Sequence, residues 1–259
     1  MSSSKLLLNV GSVVVFFAAA VTLFVISNNR ERAQDLITAV ERGDIKVAKT
    51  LIEQGANPNA ATDSGVPALL LSIAKKELEI EKLLIEKGAD VNVAFNGVTP
   101  LIAAARTGQP GIVELLLEQG VGVDDRHEGA ESALWQAAFN GDLAICQSLL
   151  AHGADPNAVN RLGWTPLFAA AQNGHEDVVG LLLDKGASID ASSNGGTALH
   201  IATANRQGGV VLLLLERGAN VNARTVLGAT PVDVAQGSSA PDIEKILRDK
   251  GGRESSDVK

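Results

Sequence analysis

The chain contains no tyrosine, one cysteine and four histidines, and aromatic side chains make up only 3% of it. Each scarcity excludes something. A single thiol, Cys146, cannot close an intramolecular disulfide, nor can it supply the paired cysteines of a zinc site. His127, His152, His175 and His200 form no HExxH-like pair, so neither a histidine metal centre nor any other cofactor is expected. An interior so poor in aromatics does not suit a β-sandwich. Alanine, leucine and valine suit thin helices that approach closely. Lys and Arg number 22 against 30 Asp and Glu, a formal charge of −8. That balance argues against nucleic acid as a partner, because such binding neutralises phosphates with cations. It argues equally against a basic membrane-surface patch.

The N-terminus carries the longest apolar run. Leu6 to Ile26 is 21 residues without a charge, interrupted only by Asn9, Gly11, Ser12 and Thr22. As a helix it is about 31 Å long, close to the roughly 30 Å of a bilayer's hydrocarbon core. Segment 1–29 is therefore expected to be a single-pass transmembrane anchor. A cleaved signal peptide is the other reading. Ala18-Ala19-Ala20 offers a small-residue cleavage site, but Val21 to Ile26 stays apolar beyond it. Lys5 favours a cytoplasmic N-terminus, while Arg30 and Arg32 favour the reverse. The rest of the chain is expected on the extracytoplasmic side, since short N-terminal apolar segments act as export signals.

Beyond the anchor the chain repeats itself. Gly55, Gly88, Gly120, Gly153, Gly186, Gly218 and Gly251 are spaced by 33, 32, 33, 33, 32 and 33 residues, and each follows an apolar run such as Leu181-Leu182-Leu183. A second marker lies 20 residues ahead of these glycines: Thr99-Pro100-Leu101, Ser132-Ala133-Leu134, Thr165-Pro166-Leu167, Thr197-Ala198-Leu199 and Thr230-Pro231-Val232. Thr or Ser is a helix N-cap, and proline at the first helical position loses no hydrogen bond. Alanine pairs (Ala103-Ala104, Ala137-Ala138, Ala169-Ala170) predict close packing of the short helix that follows. Gly108, Gly141 and Gly174 predict its left-handed end. Turn formers such as Ala154-Asp155-Pro156-Asn157 predict hairpin-like crossings between units.

These marks together resemble the ankyrin repeat. Gly163 to Asp190, GWTPLFAAAQNGHEDVVGLLLDKGASID, follows the family pattern almost throughout. The resemblance covers 33–252 as about seven repeats including irregular ends, with 253–259 expected to be a disordered tail. It implies an all-α solenoid of helix-turn-helix units with β-hairpin-like tips. Repeat two departs from the pattern, having Lys75-Lys76-Glu77 where its neighbours have glycine.

The resemblance also implies where function lies: hairpin tips and the exposed face of each first helix hold a partner protein. By offset those positions are Phe95, Val98, Arg106, Phe139, Arg161, Leu162, Trp164, Gln172 and Asn173, with Val226 and Leu227 in the last tip. Aromatics and Arg are the usual binding hot spots, so Phe95, Phe139 and Trp164 are expected at the centre. The alternative for Trp164 and Phe95 is that they cover a hairpin edge. Cys146 falls at the core offset of Val179. His200 shares an offset with Trp135 and Phe168, a packing position. No nucleophile, carboxylate and base are grouped, and no Gly-rich loop has phosphate-binding spacing, so no catalytic site and no small-molecule substrate are expected. The expected function is a protein-interaction scaffold at a membrane. An accessory subunit of a membrane complex, packing through Asn9, Gly11 and Ser12, is the competing reading.

Overall fold

The computed structural model describes residues 28–125 and 131–257. Two compact units divide the chain, one ending at Asp90 and the other starting at Val91. In the first, α1 is helical over residues 28–42, followed by α2 (Ile45–Glu53), α3 (Ala68–Lys75) and α4 (Leu78–Glu86). The second holds five helix pairs among its described residues. They are α5 (Pro100–Thr107) with α6 (Pro110–Glu118), α7 (Ala133–Asn140) with α8 (Leu143–Ala151), and α9 (Pro166–Asn173) with α10 (Glu176–Asp184). After them come α11 (Ala198–Ala204) with α12 (Gly208–Glu216) and α13 (Pro231–Gly237) with α14 (Pro241–Asp249). The all-helical repeat architecture expected from sequence is present. Among the described residues no helix is long and apolar enough to cross a membrane; the expected span 6–26 lies outside the described residues.

The first helix of each pair starts where the cap predicts. Thr99 Oγ1 accepts from Ile102 N at 3.3 Å and Ser132 Oγ from Trp135 N at 3.1 Å. Thr230 forms a capping box with Asp233, whose Oδ2 accepts from Thr230 N at 2.8 Å. Within the second unit the first helices stack in chain order, α5 on α7, then α9, α11 and α13. Their alanines, Ala103 to Ala105, Ala137, Ala138 and Ala169 to Ala171, are buried between neighbours. The second helices form a parallel layer, α6 to α14, and bury one leucine per repeat at a fixed offset: Leu116, Leu149, Leu182, Leu214 and Leu247. Each is worth about 1.5–3 kcal/mol of apolar burial.

Successive hairpins are joined by side chains. Asn157 Nδ2 donates to Gly186 O at 3.0 Å while its Oδ1 accepts from Ser188 N at 2.8 Å. Asn222 repeats the pair on Gly251 O and Arg253 N, and Asn59 repeats it in the first unit on Gly88 O and Asp90 N. Asp124 and Asp190 occupy the same offset but supply the accepting leg, to Asp155 N and Asn220 N. Asn157→Ala is expected to cost about 1 kcal/mol, the net worth of such bonds at a partly solvated site. Asn157→Asp keeps one leg and should cost about half that. Urea midpoints of the three proteins check the ranking.

Lys76 ends α3 in the left-handed region (φ 61°), where four other repeats use Gly43, Gly108, Gly141 and Gly174 and the last two use Arg206 and Ser239. A side chain there costs roughly 1 kcal/mol. Lys76→Gly is expected to raise stability by about 0.5 kcal/mol, since part of the relief is offset by the freer unfolded chain. A thermal melt showing destabilisation would mean that Lys76 makes a compensating contact.

Residues 253–257, within the segment expected to be a tail, fold back on the last repeat. Thr230 Oγ1 donates to Arg253 O at 2.7 Å, and Arg224 Nη2 donates to Ser255 O at 3.0 Å. Arg248 bridges Glu244 (2.9 Å) and Glu254. Ser255 N donates to Asp233 at 3.1 Å. Burial alone would raise the Asp233 pKa, but the bonds from Thr230 and Ser255 outweigh it and hold the carboxyl below its usual range. The tail satisfies donors and acceptors that a terminal repeat leaves open.

Candidate interaction surface

The tips are built by local chemistry. In the loop 160–164, Asn160 N donates to Trp164 O at 3.1 Å, and Asn160 Oδ1 accepts from Leu162 N (2.9 Å) and Trp164 N (3.1 Å). Thr225 does the same for 225–229: its N donates to Ala229 O and its Oγ1 accepts from Ala229 N. Thr62 and Val66 repeat the arrangement in the first unit. Phe95 and Val98 close a shorter tip by exchanging backbone bonds at 3.0 and 3.1 Å. The sixth repeat forms a small antiparallel hairpin, β1 (Ser192–Ser193) and β2 (Gly196–Thr197). The tip at 126–130 lies outside the described residues.

With the backbone held, the tip side chains point outward. Leu162 is 69% exposed, Val226 71% and Leu227 92%. Such exposure at three large apolar residues has no packing purpose. Trp164 is half-buried and stacks on the buried Phe168 of its own repeat, ring centroids 5.9 Å apart. It therefore contributes to folding as well as to the surface. Phe95 and Val98 are also half-buried, and Arg161 is exposed.

A second row runs along the far ends of the first helices, at a spacing of 33: Arg106, Phe139 and Gln172. Arg106 is exposed, Phe139 is 38% exposed and stacks on Trp135 at 5.2 Å, and Gln172 is half-buried. Asn173 has a structural duty that sequence offsets do not show. Its Nδ2 donates to Phe139 O at 2.8 Å, beside His175 Nε2 at 3.0 Å, and so closes the open end of α7. Asn140 does this for α5 through Arg106 O at 3.0 Å. The tip braces Asn160 and Thr225 were also not anticipated. Their signal is a Thr or Asn five residues ahead of the helix cap, seen at 62, 160 and 225.

Cys146 and His200 are held in the packing of this unit. Cys146 is buried, and burial first, then the carboxylates of Asp142 and Asp177, pushes its thiol up to about 12. At neutral pH it carries no thiolate. His200 is buried at the start of α11. Its Nδ1 faces Thr197 N at 3.1 Å and its Nε2 faces Ala229 O at 3.2 Å, the geometry of a neutral imidazole donating from Nε2. Burial lowers its pKa from 6.5. The sign follows: below pH about 6.5 the unfolded chain takes up a proton that the fold resists, so stability falls as pH drops and levels off below the folded-state pKa. His200→Gln should flatten the pH slope of the urea midpoint between about pH 7.5 and 5. An unchanged slope would mean that His200 does not carry it. Among the described residues no cluster of three His, Cys, Asp or Glu is placed to hold a metal.

The family model described as ankyrin repeats (3 copies) matches residues 36–127 and again 134–225, well over half of the chain. The chain belongs to the ankyrin repeat family. The crystal structure of the human ASB11 ankyrin repeat domain superposes with a TM-score of 0.76 and 32% identity, covering 84% of this chain and 98% of that one. The human transient receptor potential cation channel subfamily A member 1 is 43% identical over 100 residues, 38% of this chain and 9% of the channel. Mouse protein phosphatase 1 regulatory subunit 27 is 34% identical over 76 residues, 29% of this chain and 49% of that protein. This ankyrin repeat chain thus spans less than half the length of either of these two curated relatives. Ankyrin repeat domains bind other proteins.

Proposed function

We propose that the chain is a non-catalytic protein-binding module, tethered by residues 6–26 as a single-pass anchor, with its repeats on the extracytoplasmic side. The observation that carries the binding role is the set of large apolar side chains raised on braced tips, Leu162, Val226 and Leu227, where the fold has no use for them. Phe95, Val98, Arg161 and Trp164 complete the tip side of the surface, and Arg106, Phe139, Gln172 and Asn173 the helix-end side. Tethering confines the partner to the membrane and raises its effective concentration. The uncharged run of 21 residues supports the tether, and Lys5 supports the orientation.

A second reading, a structural subunit of a membrane complex, draws on Asn9, Gly11 and Ser12 within the apolar run, residues of the kind that pack helix on helix. A relative named as a phosphatase regulatory subunit is compatible with either reading. One experiment separates them. Residues 6–26 are exchanged for an unrelated apolar helix, and the proteins that co-purify with each full-length chain from native membranes are quantified. A binding module keeps its partner after the exchange and loses it on Phe139→Ala with Leu162→Asp. Loss on the exchange alone assigns the subunit role.

A further inference from the structure

We infer that Asn194 is a modification site, where the chain converts its own asparagine to aspartate and isoaspartate without an enzyme. This stands apart from the binding-module reading. Asparagine followed by glycine occurs at four places: Asn96-Gly97, Asn140-Gly141, Asn173-Gly174 and Asn194-Gly195. All four asparagines are exposed, so access of water does not distinguish them. The chemistry needs the glycine nitrogen to reach the side-chain amide carbon. Glycine favours that approach because it has no Cβ and an adaptable backbone.

The structure withholds the approach at three of the four. Asn140 Nδ2 donates to Arg106 O at 3.0 Å, and Asn173 Nδ2 donates to Phe139 O at 2.8 Å. The following nitrogens are engaged as well, Gly141 N with Ala138 O at 3.3 Å and Gly174 N with Ala170 O. Attacking nitrogen and attacked amide must both be released before either pair can react. Asn96 is held in another way. Phe95 and Val98 close its two-residue turn with backbone bonds at 3.0 and 3.1 Å, and its φ is 50°. At that φ a residue with a Cβ is confined to ψ of about 30–60°, which points Gly97 N away from the side chain.

Asn194 has none of these restraints. It lies outside the left-handed region. Among the described residues neither its side-chain amide nor Gly195 N has a hydrogen-bond partner. Its hairpin has only two residues in each strand, Ser192 opposite Thr197 and Ser193 opposite Gly196. Such a short ladder offers little resistance to rotation at the turn. In the reaction Gly195 N attacks Asn194 Cγ and a new N–C bond forms. The Cγ–Nδ2 bond breaks, and Nδ2 leaves as ammonia with the proton given up by Gly195 N. Solvent water then opens the cyclic imide. Opening at Cγ gives aspartate; opening at the main-chain carbonyl gives isoaspartate, whose backbone is longer by a methylene. Either product adds a carboxylate to a hairpin that adjoins the 160–164 tip, where a Cβ on Gly163 would lie 3.8 Å from Ser193 Cβ.

The test holds the full chain in nanodiscs at mildly alkaline pH. Each Asn-Gly peptide is followed by mass spectrometry that separates aspartate from isoaspartate. Conversion at Asn194 should outrun each of the other three by about tenfold or more, because two hydrogen bonds or a closed turn must be undone at those sites. In urea the four rates should converge, since the unfolded chain offers the same dipeptide at each. Gly195→Ala should abolish conversion at Asn194 alone, because its methyl group hinders the nitrogen. The fold accepts that methyl, which meets only Ile201 Cδ1 at 3.5 Å and Ser193 Oγ at 4.0 Å. Comparable rates at all four sites in the folded chain would overturn the inference. So would an Asn194 that stays intact while the unfolded chain converts, a ranking that persists in urea, or undiminished conversion in Gly195→Ala.

Discussion

Gly141→Ala is expected to lower stability by about 2–3 kcal/mol, while Arg206→Gly, at the same place in a later repeat, should change it by less than about 1. Gly141 ends α7 at φ 76°, a conformation that costs a residue with a Cβ about 1–2 kcal/mol. The larger difficulty is space. A Cβ on Gly141 would lie 2.4 Å from His175 Nδ1, and the His175 ring is held by Nε2 on Phe139 O. Moving the ring surrenders that bond, worth roughly 1 kcal/mol.

The neighbours explain the contrast. The residue that caps the next second helix folds over the glycine of the preceding repeat: Glu77 over Gly43, Asp142 over Gly108, His175 over Gly141, Gln207 over Gly174. Above Arg206 the corresponding cap is Ala240, which leaves room for a side chain. Arg206 uses it to donate from Nε to Ser238 O at 3.0 Å. Calorimetry of Gly141→Ala alone and with His175→Ala tests the explanation. The double variant should recover about 1 kcal/mol. A double variant as unstable as the single would leave backbone strain as the whole cause.

Leu162→Asp is expected to weaken partner binding by about tenfold or more, with stability unchanged within about 0.5 kcal/mol. Leu162 is 69% exposed, and only its backbone N–H is tied to Asn160. Its removal therefore costs the fold almost nothing, whereas a carboxylate in the centre of an interface is desolvated without a partner. Trp164→Ala should behave differently, losing both affinity and about 1 kcal/mol of stability, because its ring also stacks on Phe168. Binding isotherms paired with melts separate the two. A Leu162→Asp protein that binds normally would remove the tips from the interface.

Much of this was legible in the sequence, for a physical reason. Cap, proline, alanine pair and closing glycine act over a few residues, and each recurs at a 33-residue spacing, so helix starts at Thr99, Ser132 and Thr230 could be read directly. What escaped depends on neighbours in space. The staple from Asn157 reaches residues 29 and 31 positions away. Asn173 reads as a surface amide, and its second duty, closing the end of α7, shows only in space. The C-terminal tail is polar and short, which reads as disorder until Asp233 and Thr230 are found facing it. At the surface the aromatics attracted most weight, yet Leu227 and Val226 are the most exposed apolar residues described. Composition cannot tell a braced tip from a buried turn.

The central claim, that a protein partner seats on the tips and first helices, is tested most directly by site-specific photo-crosslinking in cells. A photoreactive residue is placed in turn at 139, 162 and 227, and at 118 and 184 on the second helices. Adducts to one protein from the first three positions, with none from 118 or 184, are predicted. Adducts concentrated at 118 and 184 would contradict it.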